Sequence, residues 1–117
     1  MPADNPGVEC VGWWEQKDFG RQPMHDLFLE FESGQISGSG HDIIGPFTLC
    51  GTVNEQGRVA MLKYYIGQHT VDYVGEYDGE GMMWGEWHIG SWKDKWMIRI
   101  ERAKAAAAKA GAIEEIV

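Results

Sequence analysis

The chain has 117 residues, of which 44% are hydrophobic and 24% charged, so it is long enough to bury a core without disulfides or a metal. Its formal net charge of −8 argues against nucleic acids and anionic membranes as partners, because both repel an acidic surface. No apolar run reaches the roughly 20 residues of a membrane span, and residues 1–6 do not resemble a secretion signal. We therefore expect a soluble, cytoplasmic protein that forms a single domain over residues 1–117.

Alternation of apolar and polar residues, interrupted by turn residues, predicts about eight β-strands. Residues 16–25 contain glycine, proline and charged residues and are predicted to form a loop. Short turns make successive strands antiparallel, and closing such a meander into a barrel removes its two exposed edges. The fold class is therefore a mainly β, up-and-down barrel over residues 8–102. The predicted strands cover residues 8–15, 26–33, 35–41, 47–53, 58–66, 69–77, 82–89 and 95–102.

The alanine- and lysine-rich residues 103–116 have no strand pattern and are predicted to form a C-terminal α-helix. A helix of this length is marginal in water by itself. It should therefore pack on the barrel or on a second subunit, or else stay frayed.

Five glycines fall on the strand faces that are predicted to point into the barrel. A glycine inside a strand is costly, and it recurs where strands bend or where something bulky needs room. The bulky neighbour could be an aromatic side chain such as Phe47 or Trp87, or it could be a ligand. These glycines are Gly38, Gly40, Gly51, Gly75 and Gly85.

The motif Gly12-Trp13-Trp14 resembles the Gly-x-Trp of the first lipocalin strand. The chain as a whole resembles the calycin superfamily, the lipocalin and avidin-like barrels, over residues 8–115. It is shorter than a lipocalin and lacks both a second lipocalin signature and the biotin-contacting residues of avidins. The resemblance implies an up-and-down barrel with Trp14 closing its floor and, by analogy, the binding of a small ligand.

Lys63 is the most informative candidate for a binding residue. It shares a strand face with Val59, Met61 and Tyr65, but the opposite face is also apolar, so the strand may be covered on both sides and the sequence leaves the direction of Lys63 open. If Lys63 points inward, its charge needs a partner, and Asp42, Asp72 and Glu86 are candidates. It would then anchor a ligand in an aromatic pocket. The candidate ligand-binding residues are Lys63, Tyr65, Tyr73, Trp87, Phe47, His41 and Asp42.

No catalytic, metal-binding or cofactor-binding residues are predicted. The histidines His25, His41, His69 and His88 are not spaced as metal ligands. The segment "SGSGHD" (37–42) resembles a nucleophile elbow, but no helix follows it. Cys10 and Cys50 are predicted to be packed, reduced thiols, and a disulfide requires that the strands bring them together.

Three functions remain open. The first is a non-catalytic barrel that binds a small hydrophobic or aromatic molecule. The second is an interaction module with a packed interior, and here a homodimer is expected because large apolar residues fall on the outer face. The third is an enzyme at the barrel mouth, which requires His41, Asp42 and Lys63 to converge. The outer apolar residues are Leu62, Tyr64, Val74, Met82, Trp84 and Trp92.

Overall fold

In a computed structural model, which describes residues 7–101, eight antiparallel strands close into one barrel. Each strand pairs with its neighbours in the sequence, and β1 pairs with β8 to complete the circle. The predicted antiparallel meander and its closure are confirmed, whereas the helix predicted at 103–116 lies outside the described residues. The strands are β1 Val8–Gln16, β2 Gly20–Glu32, β3 Gln35–His41, β4 Pro46–Val53, β5 Arg58–Tyr65, β6 Thr70–Tyr77, β7 Met82–Ile89 and β8 Trp92–Ile100.

The prediction of a loop over residues 16–25 is wrong, because β2 already begins at Gly20. Pro23 is opposite Trp13 of β1, and the pairing of β2 with β3 begins only at His25. The first residues of β2 therefore have a strand neighbour on the β1 side alone. Proline is tolerated in such an edge position, since its missing N–H breaks no ladder there.

Strand β5 shows how the barrel separates its interior from its outer wall. Its residues alternate strictly between exposed and buried, with Met61, Lys63 and Tyr65 inside. Ala60, Leu62 and Tyr64 are exposed on the outside, so among residues 7–101 the suggestion that this strand is covered on both faces is wrong. The direction of Lys63, which the sequence leaves open, is inward. The largest fully buried rings of the core belong to Phe47, Tyr73 and Trp96.

The inward glycines leave room for the backbone of adjacent strands and for aromatic rings that approach them closely. Gly75 and Gly85 are cross-strand partners in β6 and β7. A Cβ atom on Gly75 would overlap the carbonyl oxygen of Trp84, and one on Gly85 would overlap that of Val74. At Gly40 a Cβ would lie 2.8 Å from the Phe47 ring. Of the two explanations for these glycines, the structure supports close packing rather than space for a ligand.

The two ends of the barrel differ in their loops. The end formed by loops 17–19, 42–45, 66–69 and 90–91 is called the pocket end below, and the end formed by loops 33–34, 54–57 and 78–81 is called the acidic end. Within residues 7–101, no helix has the length and apolar composition needed to cross a bilayer.

Candidate functional site

A buried lysine lies at the centre of the candidate site. Strand β5 directs Lys63 into the barrel, where its side chain has no exposed surface. Its ammonium donates to Oδ2 of Asp42 at 2.8 Å and to the hydroxyl of Tyr73 at 3.1 Å. The third contact of the ammonium is with Sδ of Met24, at 3.7 Å. The ammonium of Lys63 thus has both a counter-charge and hydrogen-bond partners, which a buried charge needs because it has lost its contact with water.

The loop between β3 and β4 holds Asp42 by its own backbone. The N–H of Asp42 donates to the Gly45 carbonyl at 3.1 Å, and the N–H of Gly45 donates back to the Asp42 carbonyl at 3.0 Å. The N–H of Ile44 donates to Oδ1 of Asp42 at 2.9 Å. This tight turn orients the carboxylate through local hydrogen bonds that do not involve its partners on other strands.

The other carboxylate oxygen of Asp42, Oδ2, links the loop after β3 to strands β1 and β5. Besides Lys63, Oδ2 accepts from the hydroxyl of Tyr65 at 2.7 Å and from the indole N–H of Trp14 at 3.0 Å. The carboxylate therefore accepts four hydrogen bonds in total, three of them from side chains on β1 and β5. Such a network offsets the cost of removing the two charges from water.

Aromatic rings surround the ammonium of Lys63. Its Nζ lies 4.2 Å from the ring centroid of Phe47, 4.7 Å from that of Tyr65 and 5.2 Å from that of Tyr73. These distances are within cation–π range. Burial lowers the pKa of Lys63 to about 8, and the attraction of Asp42 limits that decrease.

The two tyrosines keep their protons but use them differently. Burial raises the pKa of Tyr65, and its hydrogen bond to Asp42 raises it further. Burial also raises the pKa of Tyr73. The Tyr65 hydroxyl donates to Asp42. The Tyr73 oxygen accepts from Lys63, and its hydroxyl hydrogen has no acceptor among residues 7–101.

A small pocket adjoins this network at the pocket end. Its volume is about 70 Å³. The rings of Tyr65 and Tyr73 belong both to the network and to the pocket wall, whereas Lys63 lies behind them and does not line the pocket. The walls are mainly apolar and aromatic. The lining residues are Trp14, Gln16, Ile44, Tyr65, His69, Val71, Tyr73, Trp87 and Ile89.

The structure brings most of the candidate residues together. Lys63, Asp42, Tyr65, Tyr73 and Phe47 form one cluster. Trp87 is on the opposite pocket wall, where its ring meets that of Trp14 edge-on at 6.5 Å and its indole N–H donates to the Glu15 carbonyl at 2.8 Å. Of the three candidate partners for Lys63, Asp42 is the one that pairs with it.

His41 is the exception among the candidate residues. Its side chain is half exposed, and its ring lies 5.3 Å from that of His25. Its Nδ1 atom is 3.5 Å from Oδ2 of Asp26. Within residues 7–101, His41 makes no hydrogen bond or ion pair with Asp42 or Lys63, so the three side chains required by the enzyme hypothesis do not form one hydrogen-bonded group.

Two side chains that bond to Lys63 or Asp42, those of Trp14 and Met24, were not among the candidate residues. Trp14, which the calycin resemblance places at the barrel floor, lines the pocket and donates to Asp42. Its place on the inward face could have been found, since Cys10, Gly12 and Trp14 alternate along β1 and are all buried. Met24 was missed because its segment was predicted to be a loop.

Within residues 7–101, no group of three or more His, Cys, Asp or Glu side chains is placed to hold a metal ion. Cys10 and Cys50 are both free thiols. Cys10 is buried as predicted, but Cys50 is exposed on the outer wall, so the prediction that it is packed is wrong.

Comparison with known proteins identifies no family for this chain: no family model, no curated protein and no solved structure matches it. The functional conclusion therefore depends on the geometry of the site.

Proposed function

We propose that this protein is a non-catalytic binding barrel of calycin-like type, which takes a small, uncharged and mainly apolar ligand with one hydrogen-bond acceptor. The ligand occupies the pocket between Tyr65, Tyr73, Trp14 and Trp87. Its acceptor receives the hydrogen of the Tyr73 hydroxyl.

The observation that carries this proposal is the Tyr73 hydroxyl. Tyr73 is 2% exposed and lines the pocket. Its oxygen is bonded to Lys63, and its hydrogen has no acceptor in the described part of the chain. A buried donor without a partner costs about 1–3 kcal/mol. An acceptor in the pocket would remove that cost, so the site favours a ligand that carries one.

The size and charge of the site define the ligand class. A water molecule needs about 10–15 Å³ of such volume, so about 70 Å³ accommodates one small ring or a short branched chain. Lys63 and Asp42 neutralise each other behind the wall. A charged ligand therefore gains little, whereas an aromatic or aliphatic group packs well against the rings.

The same hydrogen bonds favour binding over catalysis. Both oxygens of Asp42 are engaged, and the ammonium of Lys63 has three contacts. Neither group lines the pocket. A general base or a nucleophile has to reach the reacting atom, and here the two tyrosine rings lie between these groups and the pocket.

The proposal can be tested with acetophenone and ethylbenzene, which have similar size but differ in a carbonyl acceptor. We expect both to shift the indole N–H signals of Trp14 and Trp87 in two-dimensional NMR, with acetophenone binding at least threefold more tightly. The indole signals of Trp84 and Trp13, outside the pocket, should not move.

Tyr73→Phe supplies the specific test, and Tyr77→Phe on the same strand is its matched control. Tyr77 is half-buried, stacks on Phe31 and does not line the pocket. We expect Tyr73→Phe to remove the preference for acetophenone and Tyr77→Phe to keep it. If neither probe moves the Trp14 and Trp87 signals at millimolar concentration, the proposal fails.

A second candidate, a protein-interaction module, is supported by the outer wall. Leu62, Tyr64, Val74 and Trp84 are each 40–44% exposed on strands β5 to β7. A patch of this kind often marks a contact surface. Weaker self-association of Trp84→Lys, with unchanged probe binding, would support this candidate in addition to the first.

A further inference from the structure

The pocket end carries an unusual concentration of exposed apolar side chains. Within residues 7–101, eleven large hydrophobic side chains are exposed, and six of them lie at this end. They are 37–64% exposed and come from all four loops or the strand ends next to them. We call this group the apolar rim. Its members are Phe19, Ile43, Ile44, Ile66, Ile89 and Trp92.

The loops of the acidic end are charged rather than apolar. None of the exposed large hydrophobic side chains lies in its loops, which carry Glu55, Asp78 and Glu80 and no basic residue. In the pocket-end loops, Lys17 offsets Asp18, and Asp42 is neutralised by Lys63. The loops of the acidic end thus carry three formal negative charges, whereas Lys17 and Asp18 cancel in the loops of the pocket end.

Hydrogen bonds hold the rim in place. The N–H of Phe19 donates to the Gln16 carbonyl at 2.8 Å, and the N–H of Ile66 donates to the Pro46 carbonyl at 3.0 Å. The side-chain amide of Gln68 donates to the Ile44 carbonyl at 3.3 Å, which ties two of the loops together. A surface that is already ordered loses little entropy when a partner covers it.

We propose that the apolar rim is a homodimer interface, in which a second copy of this chain docks rim against rim so that the two pocket mouths face each other. The exposed parts of the six side chains amount to roughly 600 Å². A standard interface buries about 800 Å² per partner. The rim therefore supplies most of the area that a stable dimer needs.

The charge distribution is compatible with a second copy as the occupant of the rim. Two molecules with a net charge of −8 repel each other, and a rim-to-rim arrangement places their acidic ends as far apart as possible. A lipid surface would favour basic residues beside the apolar ones, but Lys17 is offset by Asp18. Glu101, the last residue that the structure describes, lies at the acidic end, on the far side of the barrel from the rim.

The arrangement also completes the pocket. Ile44 and Ile89 belong to both the rim and the pocket wall. A second copy across the mouth would exclude water from the rings and enclose two facing pockets. Ile43 and Ile66 belong to the rim alone, so a change at either one tests the interface without altering the pocket.

The test is sedimentation equilibrium of the full chain and three variants. Ile66→Lys and Ile43→Lys place a charge in two different rim loops, while Leu62→Lys places one on the outer wall at similar exposure. We expect a dimer whose Kd rises at least tenfold in both rim variants, because each change occurs twice in a symmetric interface. Leu62→Lys should change the Kd less than twofold.

Three results would overturn the proposal. One is a full chain that stays monomeric up to about 500 μM. A second is a dimer weakened by Leu62→Lys but not by the rim variants, which would move the interface to the outer wall. The third is a monomer that binds phosphatidylcholine vesicles through the rim, which would assign the rim to a lipid surface. Near-UV circular dichroism confirms folding, and two independent rim variants guard against the misfolding of one.

Discussion

Lys63 Nζ and Asp42 Oδ2 lie 2.8 Å apart inside the barrel, and neither side chain has any exposed surface. The two residues come from different elements, the middle of β5 and the loop after β3. Removing two charges from water costs several kcal/mol for each ion, and the pair recovers this only with good geometry and additional hydrogen bonds. Tyr65, Tyr73 and Trp14 supply those bonds. The pair therefore fixes where the loop sits on the barrel mouth.

Lys63→Met should strongly destabilise the protein. The change removes the ammonium and leaves the Asp42 carboxylate buried without its counter-charge. Breaking one partner of a buried pair costs about 3–5 kcal/mol, and we expect a loss of that size in urea denaturation. A loss below about 1 kcal/mol would contradict the view that the pair is tightly coupled.

A double-mutant cycle with Asp42→Asn separates the pair from its surroundings. Asp42→Asn alone should also destabilise, because it leaves Lys63 buried without a counter-charge. The double variant should be less unstable than the sum of the single ones, with a coupling free energy of about 1–3 kcal/mol. Strict additivity would mean that the two charges do not stabilise each other.

The unfolding free energy should rise with pH between about 8 and 9. Burial lowers the pKa of Lys63 from 10.5 to about 8, so in this window the unfolded chain holds a proton that the folded protein has released. Stability then increases with pH, by at most about 1.4 kcal/mol per unit for one proton. Denaturant titrations in matched buffers measure this slope.

Above about pH 9 the rise should be opposed, because burial raises the pKa of Cys10 from 9.0 to about 12 and the unfolded chain loses a thiol proton that the folded protein keeps. Above pH 10 the sign should reverse. Burial raises the pKa values of Tyr65 and Tyr73, so the unfolded chain loses phenolic protons that the folded protein keeps, and stability falls. Lys63→Met is the control, since it should remove the rise between pH 8 and 9 and retain the fall at higher pH. A wild-type profile that is flat from pH 8 to 9 would refute the assignment to Lys63.

Gly85→Ala should destabilise the barrel far more than Gly79→Ala. A methyl group at Gly85 would overlap the Val74 carbonyl, whereas Gly79 has nothing within 4 Å and a φ of 79°. We expect a loss of about 1 kcal/mol at Gly79 from the left-handed backbone and a loss of at least twice that at Gly85. Thermal unfolding compares the two, and equal losses would argue against the close approach of β6 and β7.

The two cysteines should differ in reactivity. Cys50 is exposed, while Cys10 is buried and its pKa is raised to about 12, mainly by burial. Because the thiolate is the reactive form, one thiol per chain should react rapidly with a chromogenic disulfide reagent at pH 8. The second should react only in denaturant, and Cys50→Ser should abolish the fast phase. Two fast thiols in the native protein would contradict the burial of Cys10.

Much of the fold follows from alternation in the sequence. The strands Gln35–His41 and Met82–Ile89 match their predicted bounds, because each has polar turn residues at both ends and a clear period of two. The segment 16–25 was not predictable in this way. Its proline and glycine favour a turn locally, but pairing with β1 outweighs that preference.

The site could be predicted only in part. The residue types around Lys63 indicated a polar anchor among rings, but the direction of Lys63 could not be determined because both faces of β5 are apolar. The inward direction of Lys63 follows from the strand register, which pairs Lys63 with Leu49 on β4 and with Val71 on β6. The link to Asp42 joins residues 21 positions apart, so it depends on how the barrel closes and not on local sequence.

The pairing of β1 with β8, which closes the barrel and is called the seam here, is the last strand pairing that can form during synthesis. All other strand pairs join neighbours in the sequence, so the hairpins can form while synthesis continues. The seam joins residues near opposite ends of the chain, such as Cys10 and Ile100. Until β8 has been synthesised, β1 has an unpaired edge to which another chain could add a strand. The final residues of the barrel thus determine how long the nascent protein is exposed to aggregation.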